Sequence, residues 1–199
     1  MSAAVVPIVE GQAEAQSIGV LLRRIIAAKD VFNVTVTRPF RVKRNRVVRP
    51  GEMERAVKQA LADRATAGCI LVLLDADEDC PAELGPSLLA RCRQATGLPV
   101  AVVLASKEFE AWFLGSKESL RGVRGIRQDA AAPPEPEGIK GAKEHLSRNM
   151  IGGRRYVAVD DQAAMVQQMD LERTRDRCPS FDKLLRDVDR LVAELSEGV

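Results

Sequence analysis

The sequence predicts an α/β fold in which a mostly parallel, four-stranded, Rossmann-like sheet is flanked by helices and followed by a helical carboxyl-terminal part. Three observations support this prediction. Short runs rich in valine, isoleucine and leucine are continuously apolar, which is typical of parallel strands buried on both faces. Segments with the apolar spacing of helices separate these runs, so strand and helix alternate along the chain. After the fourth strand, the chain carries helical patterns.

The first strand is expected at residues 3–9, although Pro7 lacks the N–H group that a strand ladder uses. A helix over 13–28 follows, because apolar residues recur there on one face at helical spacing. These residues are Ile18, Leu21, Leu22, Ile25 and Ile26. A β-rich stretch at 31–48 alternates apolar and polar residues, and we expect Pro39 to interrupt it.

The second helix is predicted over 51–65, and the third strand over 70–74. Pro81 favours the start of a third helix, over 83–96, because proline fits the first helical turn. The fourth strand follows at 100–105, and we expect right-handed connections between the parallel strands. The remaining helical patterns lie at 108–114, 139–148, 161–169 and 181–195, with a proline-rich loop at 129–138.

Length and composition suit one intracellular domain. The 199 residues can bury a full core, so we expect a single domain over 1–199, with an α/β core at about 1–115 and a helical extension at about 116–199. The net charge of +2 excludes a global field that recruits nucleic acid, so electrostatic attraction must be local. The four cysteines form no CxxC pair, which indicates reduced thiols. With no apolar stretch of about 20 residues, we expect a soluble cytoplasmic protein and no membrane partner.

Carboxylates follow two of the predicted buried strands. Glu10 and Gly11 come directly after the first strand, and Asp75 and Asp77 follow the third. The carboxyl ends of parallel strands meet at one edge of a sheet, so these side chains should lie close together. Carboxylates at such distances repel one another unless a hard cation or protonation relieves the repulsion. The pattern therefore predicts a site for Mg²⁺ or Mn²⁺.

A simpler alternative stays open, since acids at strand ends also cap the helices that follow. Other readings of the acidic run fail. A calcium loop beginning at Asp75 would need glycine where Cys80 stands and glutamate where Pro86 stands. A phosphatase with its nucleophile on the first strand would leave Glu10 unexplained. The single histidine, His145, argues against a Ser-His-Asp or Cys-His mechanism, and no nucleotide-binding glycine motif is present.

Basic residues cluster in the stretch 38–49, which contains no acid. Its members are Arg38, Arg41, Lys43, Arg44, Arg46 and Arg49. Such a stretch could track a phosphate backbone or could protect an exposed sheet edge by charge, and the sequence leaves both open. Arg154 and Arg155, in a second basic turn after two glycines, could close over a phosphate, with Lys143 adding charge.

Two of these segments resemble the motifs of Toprim domains. The segment 9–14 (VEGQAE) looks like the strand-turn-helix opening of those domains, and 74–77 (LDAD) looks like their DxD motif. The resemblance covers about the first half of the chain and implies a Mg²⁺-dependent site acting on phosphodiesters. It assigns Glu10 the general acid/base role and gives the metal to Asp75 and Asp77, with Asp79 beside them.

A second acidic pair, Glu108 and Glu110, follows the fourth strand. On a helix these two side chains point about 200° apart, so one of them should face the site, and we expect it to be Glu108. The neighbouring Trp112 and Phe113 are expected in the core.

A closer resemblance, over nearly the whole chain, is to a bacterial family called domain of unknown function 4276. It is carried by residues 9–11, 75–77, 108–113 and 178–181 and by the regions of Lys143 and Tyr156. Ala13 departs from the threonine that the family often has after its glycine. Because the activity of that family is not established, this resemblance implies a fold more than a reaction.

These observations support two main hypotheses. The first is a metal-dependent phosphodiester-processing enzyme, a nuclease on DNA or RNA that uses Mg²⁺ or Mn²⁺. The second is a non-catalytic Toprim-like module that binds nucleic acid, a nucleotide or a protein partner, working beside a partner ATPase. Phosphoryl transfer on a small molecule is a third. The sequence does not decide among them and gives neither the substrate nor the oligomeric state.

Overall fold

Five strands form one parallel sheet in the computed structural model, which describes residues 3–197. They are β1 (Ala3–Val9), β2 (Val34–Val36), β3 (Phe40–Arg41), β4 (Ala67–Asp75) and β5 (Val100–Ala105). The order across the sheet is β2-β1-β4-β5, and β3 also pairs with β1. All of these pairs are parallel, so the predicted α/β class is confirmed.

One edge of the sheet differs from the prediction, which gave four strands. β2 pairs with residues 3–5 of β1, and β3 pairs with Ile8 and Val9, with Pro39 in the gap between the two short strands. Proline cannot donate to a ladder, so a single edge strand is divided into two. The prediction of β structure up to residue 48 is also wrong at its end, where a short helix turns Val47 into the core.

Most of the strands are separated by helices, and more helices follow the last strand. They are α1 (Gln12–Ala27), α2 (Arg44–Val47), α3 (Glu52–Leu61), α4 (Pro81–Ala95), α5 (Ala111–Gly115), α6 (Ala142–Arg148), α7 (Ala158–Gln168), α8 (Leu171–Arg177) and α9 (Pro179–Glu197). The sequence did not predict α8. It buries Thr174 alone among its residues, and its main local signal is Asp170, whose carboxylate accepts the Arg173 N–H at 3.0 Å.

The sheet separates two apolar layers, which explains the continuously apolar strands. In β1, Val5 and Val9 face α1, whereas Val6 and Ile8 face the layer that contains α3 and α4. Full burial of such a side chain contributes roughly 1.5–3 kcal/mol. The layer of α1 also takes in the helical carboxyl-terminal part, including the buried Trp112 and its ring contacts with neighbouring aromatics.

The other edge of the sheet, β5, is covered by α9. Lys183 donates to the Val102 carbonyl at 3.0 Å, and Arg190 donates to the Val100 carbonyl at 2.9 Å. These side chains satisfy edge carbonyls that would otherwise be open to another strand. The four cysteines are free thiols. Within residues 3–197, no helix is both long and apolar enough to cross a membrane.

Candidate functional site

The carboxyl ends of β1, β4 and β5 bring the candidate residues to one edge of the sheet. Glu10 follows β1 directly, and Asp75 is the last residue of β4, paired in register with Ala105 of β5. The chain after β5 turns back at residues 106–110 toward the end of β4. The strand order therefore brings Glu10 and Asp75 to the same end of two adjacent strands.

Gly11 lets the chain turn from β1 into α1 with a carboxylate folded over it. It is the N-cap of α1, in extended backbone conformation. A Cβ atom at this position would collide with the carboxylate of Glu14, which lies one helical turn further on. Glycine therefore allows Glu14 to lie close to the Glu10 turn.

Glu10 is partly buried beside other charges. Burial, and then repulsion from Asp77, raises the pKa of Glu10 above its ordinary value, and Glu14 adds to this. The charge of Arg44 acts in the opposite direction. A carboxyl group with a raised pKa holds its proton more readily than an ordinary carboxylate, as a general acid or base requires.

Asp75 lies between the strand ends and the turn after β5. Its Oδ1 accepts the Phe109 backbone N–H at 2.8 Å. Burial raises the pKa of Asp75 well above its ordinary value, and repulsion from Glu110 and Glu14 raises it further, against the opposing charge of Lys143. The charged form of Asp75 is therefore unfavourable here, and a bound cation would stabilise it.

Glu110 is fully buried and holds an oxygen without a hydrogen-bond donor. Its Oε1 accepts from the Tyr156 hydroxyl at 3.0 Å and from Gln162 at 3.5 Å. Its Oε2 has no hydrogen-bond partner among the described residues and lies 3.6 Å from Nζ of Lys143. Burial raises the pKa of Glu110, and the charge of Lys143 opposes the rise.

Gln162 of α7 connects the acids across the molecule. Its Nε2 lies 3.4 Å from Oε1 of Glu14 and also donates to Glu110, while its Oε1 accepts from the buried Ser17 hydroxyl at 2.6 Å. The amide thus fixes acids that come from α1 and from the turn after β5.

Lys143 places an ammonium group among these carboxylates. Burial alone would lower the pKa of Lys143, but Glu110, Glu108, Asp75 and Glu14 together raise it above its ordinary value. Glu108 also accepts the Lys143 backbone N–H, at 3.4 Å. We therefore distinguish a carboxylate–lysine group, defined as Glu14, Asp75, Glu108, Glu110 and Lys143.

The rest of the DxD segment has a different environment. Asp77 and Asp79 are exposed, and both form ion pairs with Arg44, at 3.3 Å for Asp77. Arg44 also donates to the carbonyls of Asp75 at 2.7 Å and Ala76 at 2.8 Å. Arg44, expected to bind phosphate, is therefore committed to the DxD turn. Within residues 3–197, no group of three or more His, Cys, Asp or Glu side chains is assembled to hold a metal ion.

The other basic residues named from the sequence divide into two places. Arg41, Lys43 and Arg46 line a cleft of about 520 Å³ beside Glu10. Arg154 instead pairs with the buried Asp161, and Arg155 is exposed on the glycine-rich turn.

A family model matches residues 9–189, and its description is domain of unknown function (DUF4276). The chain belongs to this family. The matched range contains the Glu10 turn, the DxD segment, the carboxylate–lysine group and Gln162. No curated protein and no solved structure matches the chain.

Sequence reasoning identified the DUF4276 chain's acids at the strand ends but missed part of their surroundings. It favoured Glu108, which is partly buried, whereas Glu110 is fully buried and accepts from Tyr156. Glu14 had a signal, since it stands four residues after Glu10, in the first turn of α1. Gln162 had none, because its role depends on how α7 packs on α1.

Proposed function

We propose that this chain is a divalent-metal-dependent phosphodiester-processing enzyme, a nuclease acting on DNA or RNA, built on a Toprim-like core. The observation that carries the proposal is the position of Glu10 and Asp75 at the carboxyl ends of two adjacent parallel strands, with Glu14 close enough to raise the pKa of both. The pKa values of Glu10, Asp75 and Glu110 are raised there, as is common at functional sites. The Toprim-like motifs around Glu10 and Asp75 agree with this reading.

The donor chemistry fits Mg²⁺ or Mn²⁺. Carboxylate oxygens are the hard ligands that these cations prefer, and the buried Oε2 of Glu110 has no hydrogen-bond donor among the described residues. Glu10 and Asp75 would hold the cation, and Asp77 and Asp79 would join them by giving up Arg44. When bound, such a cation stabilises charge that develops on phosphate oxygens.

The chain's own residues supply the remaining parts of the reaction. Glu10, with its raised pKa and its place at the rim of a basic cleft, would take a proton from the attacking water or give one to the leaving oxygen. The Lys143 ammonium would lie near charge that develops on the phosphate. Tyr156 and Gln162 would keep Glu110 in place.

A cleavage assay tests this function. Labelled single-stranded and double-stranded DNA and RNA are incubated with wild type in Mg²⁺, in Mn²⁺ and in EDTA, and with Asp75→Asn. The matched control is Asp63→Asn, an exposed aspartate after α3. We expect metal-dependent cleavage by wild type and the control, and a loss of about 100-fold or more in Asp75→Asn. If Asp75→Asn cleaves as wild type does, the reaction does not take place at this site.

A second candidate is a non-catalytic Toprim-like module that binds nucleic acid, a nucleotide or a protein partner. The pairing of Asp77 and Asp79 with Arg44 favours it, because this arrangement needs no cation. Such a module would bind without cleaving, alone or beside a partner ATPase. Cleavage that appears only when an ATPase partner is added would instead make the chain a catalytic subunit.

A further inference from the structure

A cleft of about 520 Å³ opens beside Glu10, on the side of the sheet that carries α2 and α3. Its volume lies within the roughly 300–1,000 Å³ that small-molecule sites occupy. Glu10 is one of its lining residues, so the cleft reaches the carboxyl end of β1. The carboxylate–lysine group does not line it.

The cleft has more positive charge than its own acids neutralise. Arg46 and Arg55 share the single carboxylate of Glu52, at 3.4 and 2.5 Å. Arg41 donates to the neutral amide oxygen of Gln12 at 2.5 Å. Lys43 is exposed and has no side-chain hydrogen bond or ion pair within the described part of the chain. The cleft therefore favours an anion.

The same cleft offers an aromatic surface. Phe40 lies in β3, is partly buried and lines the cleft together with Val42 and Val47. Phosphate-binding cations beside an aromatic ring are the combination that binds nucleotides, since every base has a face that stacks. Protection of the sheet edge accounts for charge along β3 but does not account for a cleft that joins it to α3.

We propose that this cleft binds one nucleoside phosphate unit of a single-stranded nucleic acid, with the phosphate against Arg41, Lys43 and Arg46 and the base against Phe40. The inference rests on the proposed function, because it names the strand that reaches Glu10. A free nucleotide has the same chemistry, so the experiment separates the two sources. Because Glu10 also lines the cleft, the next phosphodiester of the strand would lie toward the strand ends.

The test is fluorescence anisotropy of a labelled tetrathymidylate in EDTA, with competition by unlabelled thymidine monophosphate. The double variant Lys43→Gln/Arg46→Gln should weaken binding by roughly tenfold or more and reduce its dependence on salt. Arg93→Gln, an exposed arginine on α4, is the matched control and should bind like wild type. Equal affinity in the double variant and wild type, or no binding by wild type, would overturn the inference.

Phe40 gives an independent arm of the test. Phe40→Leu should weaken the binding of tetrathymidylate several-fold, and Phe40→Tyr should restore it, because stacking needs an aromatic ring. Thermal unfolding of each variant reports whether β3 is intact. If Phe40→Leu and Phe40→Tyr are both folded and bind tetrathymidylate with equal affinity, the base does not stack on this residue and the assignment fails. If thymidine monophosphate competes with the same affinity as tetrathymidylate, the cleft binds free nucleotides, and the proposal of a single-stranded ligand is wrong.

Failure of this inference can be told apart from failure of the proposed function. Binding is measured in EDTA, so it does not depend on the proposed metal site. Binding of tetrathymidylate without metal-dependent cleavage would contradict the proposed nuclease function but not the ligand of the cleft. Cleavage with an unchanged KM in the Lys43→Gln/Arg46→Gln variant would contradict the cleft alone.

Discussion

Glu110 and Lys143 form an ion pair within the site. Glu110 is buried, while its oxygen nearest Lys143 lacks a hydrogen-bond donor among the described residues. Lys143 compensates this charge at 3.6 Å, a distance of an ion pair without a hydrogen bond. An ammonium group and a divalent cation would thus compete for the same carboxylates.

Removing this ammonium group should strengthen metal binding. In Lys143→Gln we expect the affinity for Mn²⁺ to rise by roughly threefold to tenfold, because one competing charge has left the acids. Cleavage should fall nonetheless, since the positive charge beside the phosphate is also lost. Calorimetry measures the affinity, and Lys140→Gln, an exposed lysine three residues earlier, is the control. Weaker Mn²⁺ binding in Lys143→Gln would show that Lys143 supports the metal site.

Gly11 should matter for the position of Glu14 more than for stability. In Gly11→Ala the new Cβ displaces the end of the flexible Glu14 side chain, so the free energy of unfolding should change by less than about 1 kcal/mol. Cleavage should nevertheless fall, because Glu14 leaves Gln162 and the acids. Combined with Glu14→Gln, the alanine should add little further loss. Full additivity of the two losses in activity would exclude this coupling.

At the scale of elements, Lys117 joins the helical turn that follows α5 to α6. This side chain is fully buried, and its Nζ lies 3.2 Å from Nδ1 of His145. Burial lowers the pKa of Lys117 to about 8, with Glu118 opposing the shift. The pKa of His145 is lowered as well, by burial and by the charges of Lys117 and Arg148. The pair therefore places two titratable groups together.

Lys117→Met should stabilise the fold in a pH-dependent way. Below about pH 8, folded Lys117 is charged at a cost of about 3 kcal/mol relative to the unfolded chain, where its pKa is near 10.5. Between about pH 8 and pH 10.5 the unfolded chain binds more protons than the folded chain, so the stability of wild type rises across this range. The gain from Lys117→Met should be largest at pH 7 and shrink across that range, as urea unfolding measures. A constant gain at all pH values would contradict the charge-based cause.

The sequence predicts elements well where burial leaves a local pattern. β1, β4 and β5 are mainly apolar because both faces are covered, and their carboxyl ends could be placed from that pattern to within one residue, although β4 begins at Ala67 and not at residue 70. α2 was missed because its four residues include three polar ones, and α8 because little of it is buried. The side chain of Glu110 could not be placed either, since the turn after β5 is set by the Phe109 N–H bonding Asp75.

At the scale of the whole molecule, two regions of opposite charge lie beside the carboxyl ends of the strands. The carboxylate–lysine group lies under α1, α6 and α7, and the basic cleft lies on the side of α2 and α3. Glu10 stands at the boundary between them. Although the net charge is only +2, this segregation puts an anion-binding surface next to a site that a cation would stabilise.

The central claim is that the gathered carboxylates bind a divalent cation. Calorimetric titration of Mn²⁺ into wild type, Asp75→Asn and the exposed control Asp63→Asn tests it without a substrate. Saturable binding by wild type and the control, lost in Asp75→Asn, is the result that the metal site predicts. Absence of binding by wild type, or equal binding by Asp75→Asn, would contradict it and leave the non-catalytic module as the better description.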